Sequence, residues 1–234
     1  MERTVAFSRD HVAEEQKRFI LRVYNWMTSG LCVTGFVAYY VSQSEYLLGM
    51  IMGNPLIFYG LIIAELGLVF YLASAVMKMS AQTAMMTFLG YAALNGLTFS
   101  FIFIVYTQSS IASAFLVTAG TFGAMSVYGY TTKKDLTSWG GFLFMGLIGI
   151  IIASFVNMFL QSSMIYWLTT YAGVLVFVGL TAYDTQKIKE MNILGNEGTD
   201  EDTKEAISGA LRLYLDFINL FLMILRLTGG GRSD

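Results

Sequence analysis

Charge is what this chain has least of. Of 234 residues, 30 are Asp, Glu, Lys or Arg, 13 % of the total, against about 25 % in a typical soluble domain. Nine of the 30 fall in residues 1–22 and eleven in residues 184–212. The 161 residues between them, Val23–Tyr183, hold six: Glu45, Glu65, Lys78, Lys133, Lys134 and Asp135. No water-soluble fold covers a core of that composition with polar surface, which excludes an ordinary soluble enzyme and a disordered chain. The net charge of −2 leaves no basic footprint for a polyanion, so nucleic acid is not an expected partner. Cys32 is the only cysteine, which rules out an intrachain disulfide. His11 is the only histidine, which rules out a His/Cys zinc site within one chain and a His-based triad inside a membrane. There is no G-x-S-x-G turn, and no resident cofactor is expected. A bound metal would have to take oxygen ligands, as calcium does.

Apolar runs fill the space that charge leaves. A helix needs about 20 apolar residues to cross the hydrocarbon layer. Seven runs qualify: Ile20–Tyr40, Leu56–Met77, Thr83–Tyr106, Ile111–Tyr130, Phe142–Leu160, Ile165–Tyr183 and Ala206–Leu227. Barrel strands would alternate over about ten residues instead, so the expected fold is an all-α integral membrane protein with seven transmembrane helices. Its parts are a polar segment 1–19, which does not read as a cleavable leader, one membrane domain 20–227 and a short tail 228–234. The one proline, Pro55, stands just before the second run, where its missing N–H costs nothing. Tyr and Trp residues, among them Tyr130, Trp139, Tyr166 and Trp167, gather at run ends as an interfacial belt does. The stretch from Asp184 to Glu205 reads as a charged, solvated loop with room for a short surface helix, and Asp200-Glu201-Asp202 as serving solubility.

Lys and Arg lie in the N-terminal segment and in the second, fourth and sixth connections, and are absent from the first, third and fifth. This alternation predicts a cytosolic N-terminus. Seven crossings put the C-terminus on the other side, against the weak vote of Arg226 and Arg232, which a re-entrant last segment would reconcile. Small residues at four-residue spacing (Ala92, Gly96, Ser100; Ala119, Gly123; Gly120, Ala124; Gly149, Ala153) predict close helix packing, within the monomer before any dimer face.

Ionisable groups inside spans are costly and mark candidate sites. Asp216 lies ten residues into the last run, roughly 15 Å along it, with Arg212 one turn back and Asn219 one turn on, on the same face. An internal Arg212–Asp216 pair is the simplest structural reading of that triplet. Asp184 ends the sixth run, close to where the seventh begins, so the two acids could meet. Two carboxylates in contact at low dielectric share a proton, and when deprotonated they offer oxygen ligands to calcium. Cation occupancy would then rise with pH. Glu65 sits midway along the second run without an internal partner and reads either as a protonated packing group or as part of an ion pathway. Lys78 closes the same run, within snorkelling distance of the headgroups. An intramembrane aspartyl protease would need a Gly-x-Gly-Asp site beside Tyr183-Asp184, and the chain has none, so no enzyme activity is expected.

Two motifs carry a resemblance. Gly179-Leu180-Thr181-Ala182-Tyr183-Asp184-Thr185-Gln186 and Leu213-Tyr214-Leu215-Asp216-Phe217-Ile218-Asn219, supported by Tyr130–Leu136 and Leu94-Asn95-Gly96-Leu97-Thr98, resemble the Bax-inhibitor (transmembrane Bax inhibitor motif) family, in its bacterial inner-membrane branch. The resemblance implies a central seventh helix surrounded by the other six and a pH-sensitive calcium leak channel. Asp184 and Asp216 would be its proton sensor and gate, with calcium ions and protons as its partners. It also implies a basic residue at the end of the second helix that engages the pair, a place where this chain has only Lys78. The alternative it leaves open is a non-transporting membrane partner that modulates a membrane protease or a stress or cell-death pathway.

Overall fold

The structure is a computed structural model that describes residues 9–230, the first two by their backbone alone. Arg3, Arg232 and most of the tail 228–234 lie outside the described residues. Within them every regular element is helical, with no β-strand: α1 (Arg9–Ser42), α2 (Glu45–Met52), α3 (Pro55–Ala75) continued by a 3₁₀ turn (Val76–Lys78), α4 (Ala81–Phe99), α5 (Ile102–Val105), α6 (Gln108–Thr131), α7 (Thr137–Leu160), α8 (Ser163–Met191) and α9 (Asp200–Thr228).

The helices begin where the sequence supplies a cap. The side chains of Ser44, Asn54, Ser80, Thr107, Ser162 and Thr199 each accept a backbone N–H from the first turn of α2, α3, α4, α6, α8 and α9. Each such cap stabilises its helix by about 1 kcal/mol. Pro55 takes the first position of α3. Six helical stretches are long and apolar enough to cross a membrane: 55–78, 81–105, 108–131, 137–160, 163–191 and 200–228. Helix α1, at 34 residues, has the length but not the hydropathy, because Asn25, Thr28, Ser29 and Thr34 dilute its run. It also begins at Arg9, inside the polar segment, and buries Glu15 and Phe19.

Three expectations change. The third run is not one helix: α4 stops at Phe99, where the buried Ser100 hydroxyl donates to the Leu97 carbonyl at 2.7 Å and competes with the helical backbone bond. The stretch 184–205 is mostly helix, with a connection of 192–199 only, because Thr185, Gln186 and Ile188 of α8 and Asp202, Glu205 and Ala206 of α9 are buried against neighbours. Asp202 is therefore no solubility residue: Arg22 donates to it at 2.9 Å. Helix α9 is continuous over 29 residues, so the last segment is not re-entrant.

Burial ranks the helices. Within its apolar stretch α9 is 72 % buried, α3 6 % and α7 11 %. Helix α9 packs against α1, α4, α6 and α8, while α3 packs on α4 and α7 on α8. Tyr214 of α9 is fully enclosed, its hydroxyl 2.7 Å from Thr34 Oγ1 of α1 and its ring edge-on to Phe88 and Tyr91 of α4. Glycine sets the closest approaches. Gly96 lies against Thr34 and Val37 of α1, and Gly129 of α6 lies directly against the Ala182 backbone of α8. Gly120, Gly123 and Gly149 face open space, so of the small-residue series the one through Gly96 serves packing within the chain.

Candidate functional site

The last two long helices bring the two motif aspartates together. Asp184 lies on α8, seven residues before its end, and Asp216 lies sixteen residues into α9, roughly 24 Å along that helix. Asp216 is buried, at 5 % exposure, and its Oδ2 accepts no hydrogen bond among the described residues. The Asp184 carboxyl faces it across the α8–α9 interface, near enough for the two groups to interact. Neither ionised carboxylate can donate, so a bond between them needs one proton.

Arg212 is not the internal partner of Asp216. Its Nη1 stands 4.0 Å from Asp184 Oδ1, across the helix interface. The cause is depth: Arg212 is half exposed, and following Asp216 into the interior would strip its guanidinium of water. Asn219 donates to the Leu215 carbonyl of its own helix at 2.8 Å. The pair opens on a cavity of about 820 Å³ between α7, α8 and α9, with Ser154, Tyr183, Asp184, Arg212, Asp216 and Asn219 in its wall. From α1, Tyr24 approaches Asp216, and its hydroxyl lies 3.3 Å from Thr185 Oγ1. Tyr24 had no signal in the sequence beyond being one tyrosine in an apolar run.

Glu65 does not join the pair. It is half-buried on α3, where Thr98 of α4 donates to its Oε1 at 2.7 Å, in a separate polar cluster with Tyr91 and Tyr214. Glu65 thus has a partner, on the next helix and not on its own. Lys78 is exposed at the end of the 3₁₀ turn, with no hydrogen bond or ion pair among the described residues. The cation beside the pair is Arg212, which comes from α9. Among the described residues no three His, Cys, Asp or Glu side chains cluster as a metal site. Two carboxylates supply at most four of the six to eight oxygens that calcium takes.

Fold and site together define an all-helical membrane protein in which a carboxylate pair is buried between its two last long helices. The family model described as inhibitor of apoptosis-promoting Bax1 matches residues 16–233, and the chain belongs to that family. It is similar to the inner membrane protein YbhL of Escherichia coli (strain K12), at 54 % identity over 215 residues and 92 % of each chain. An uncharacterised protein of Borreliella burgdorferi is 46 % identical over 219 residues, 94 % of each chain. Another, of Deinococcus radiodurans, is 40 % identical over 223 residues, 95 % of each.

Proposed function

We propose that this protein is a pH-sensitive calcium leak channel of a bacterial inner membrane, with Asp184 and Asp216 as proton sensor and gate. The carrying observation is the buried pair itself: a carboxylate with an unsatisfied oxygen, facing a second carboxylate, at the wall of a cavity. In this reading α1 is the first of seven crossings, α9 is the axis of the bundle and the N-terminus is cytosolic, as the Lys and Arg pattern favours. The family and the E. coli relative support the membrane assignment.

Protonation works on the pair as follows. Fully deprotonated, it carries two negative charges that repel each other and attract a cation. With one shared proton the repulsion and half of the attraction vanish. The groups near the pair are Arg212 from α9, Tyr24 from α1, which has Ser126 of α6 beside it, and Tyr183 of α8 in the cavity wall; α7 contributes no titratable side chain to that wall. Protons and calcium therefore compete, and cation occupancy rises with pH. In liposomes holding purified protein and a calcium dye, Asp216→Asn changes both the size of the flux and its pH profile. A profile identical to wild type removes the sensor assignment. No flux from the purified wild-type protein, with a membrane protease or stress regulator co-purifying, favours the non-transporting alternative.

A further inference from the structure

The connection between α6 and α7, residues 132–136, carries two lysines. Lys133 and Lys134 are exposed, and neither ammonium group has an ion pair or hydrogen bond among the described residues. The loop that presents them is fixed from α8. The buried side chain of Gln186 accepts the Leu136 N–H and donates to the Lys134 carbonyl, both at 2.8 Å. Lys189, one turn further, donates to the Tyr130 carbonyl at 3.1 Å and stands 4.8 Å over the Tyr130 ring. The three lysines border one cavity of about 280 Å³.

Two acids also border that cavity, and each is engaged elsewhere. Asp135 accepts the Thr137 N–H at 2.8 Å, at the start of α7, and these bonds hold its carboxyl below the usual carboxylate range. Glu190 is paired with Lys187 at 2.7 Å. A second cavity, of about 260 Å³, shares Lys134 and Asp135 with the first and is otherwise lined mainly by apolar and aromatic side chains, among them Leu136, Trp139, Leu143 and Tyr183. A cationic cup thus continues into an apolar slot where two membrane helices are joined.

We infer that the two cavities together hold one anionic phospholipid, its phosphate among Lys133, Lys134 and Lys189 and an acyl chain along Trp139 and Leu143. Charge selects the class of lipid. A zwitterionic headgroup offers the same phosphate but brings its own ammonium into a cup that already holds three, whereas an anionic headgroup does not. Free phosphate fits the cup and leaves the slot empty.

The test uses the full-length protein, purified in detergent and stripped of lipid. It is titrated with phosphatidylglycerol, with phosphatidylcholine of the same chains, and with inorganic phosphate as competitor, and lipid adducts are counted by native mass spectrometry. Phosphatidylglycerol is expected to bind at lower concentration than phosphatidylcholine and to persist in millimolar phosphate. The double variant Lys133→Gln/Lys134→Gln is expected to weaken phosphatidylglycerol on the order of thirtyfold and to leave phosphatidylcholine unchanged. Its fold should be intact, since neither ammonium has a partner among the described residues. Equal binding of the two lipids, or unchanged binding by the double variant, overturns the site. Displacement by phosphate at lipid-like concentrations overturns the lipid and leaves an anion cup. Asp216→Asn is expected to keep its phosphatidylglycerol, so this site and the channel reading stand or fall separately.

Discussion

Arg212 shows what a one-dimensional reading of a helix misses. Its spacing from Asp216 predicted a pair within α9, and helical neighbours at i and i+4 do face each other. The guanidinium instead extends to Asp184, because solvation favours the half-exposed end of the helix and α8 passes there. Sequence spacing names the neighbours on one helix and is silent about the helix alongside. For the same reason Glu65 read as partnerless, when its partner Thr98 comes from α4. Asp184 and Asp216 were legible because carboxylates are rare in apolar runs and their flanking residues are specific. Glu197 yields a prediction at this scale. Hydrogen bonds from Arg18 first and Arg22 second hold its carboxyl below the usual carboxylate range. A depressed value stabilises the connection 192–199 above the unfolded carboxylate pKa of about 4.3, and that contribution is lost as pH falls through the lower folded value. The protection factors of the Gly195 and Gly198 amides should therefore fall in that acid window, with a smaller pH step in Glu197→Gln. An identical step in the variant would overturn the assignment to Glu197.

That long apolar helices exist was legible, since length and hydropathy are summed over some twenty residues and tolerate local error; their polar ends were not, α1 beginning at Arg9, α8 running on to Met191 and α9 beginning at Asp200. Nor were their interruptions. Ser100 ends α4 through a side-chain bond to its own backbone, and nothing in a run of apolar neighbours announces that choice. Residues 184–205 misled in the opposite direction: charge suggested solvent, while burial of Asp202 and Glu205 keeps the first turns of α9 folded against α1 and the connection. Small-residue spacing marked several possible contacts but could not say which are used. The same substitution at two positions of α6 separates them. Gly129→Ala places a methyl against the Ala182 carbonyl, and moving α6 away from α8 should cost about 1–3 kcal/mol of stability. Gly123→Ala meets nothing and should leave stability unchanged or raise it by up to about 1 kcal/mol. Unfolding midpoints in detergent check both. Equal losses at the two positions would mean that Gly123 is covered in the folded protein.

For the molecule as a whole, a crossing by α9 would put the connection 192–199 and the end of that helix on opposite sides of the membrane. With Cys32→Ser as background, Ile193→Cys, at an exposed position, and Gly230→Cys should react with an impermeant maleimide from opposite faces of inverted and right-side-out vesicles. Labelling from the same face would remove α9 as a crossing. Two sets of ties hold the aspartates from different sides. Gln186 anchors α8 to the loop before α7, and Gly129 seats α6 on the same stretch of α8. Thr34 with Tyr214, and Arg22 with Asp202, anchor α9 to α1. Asp184 thus takes its place from α8 and Asp216 from α9, so the distance between the two carboxyls records how one helix is seated on the other and is a property of neither helix alone.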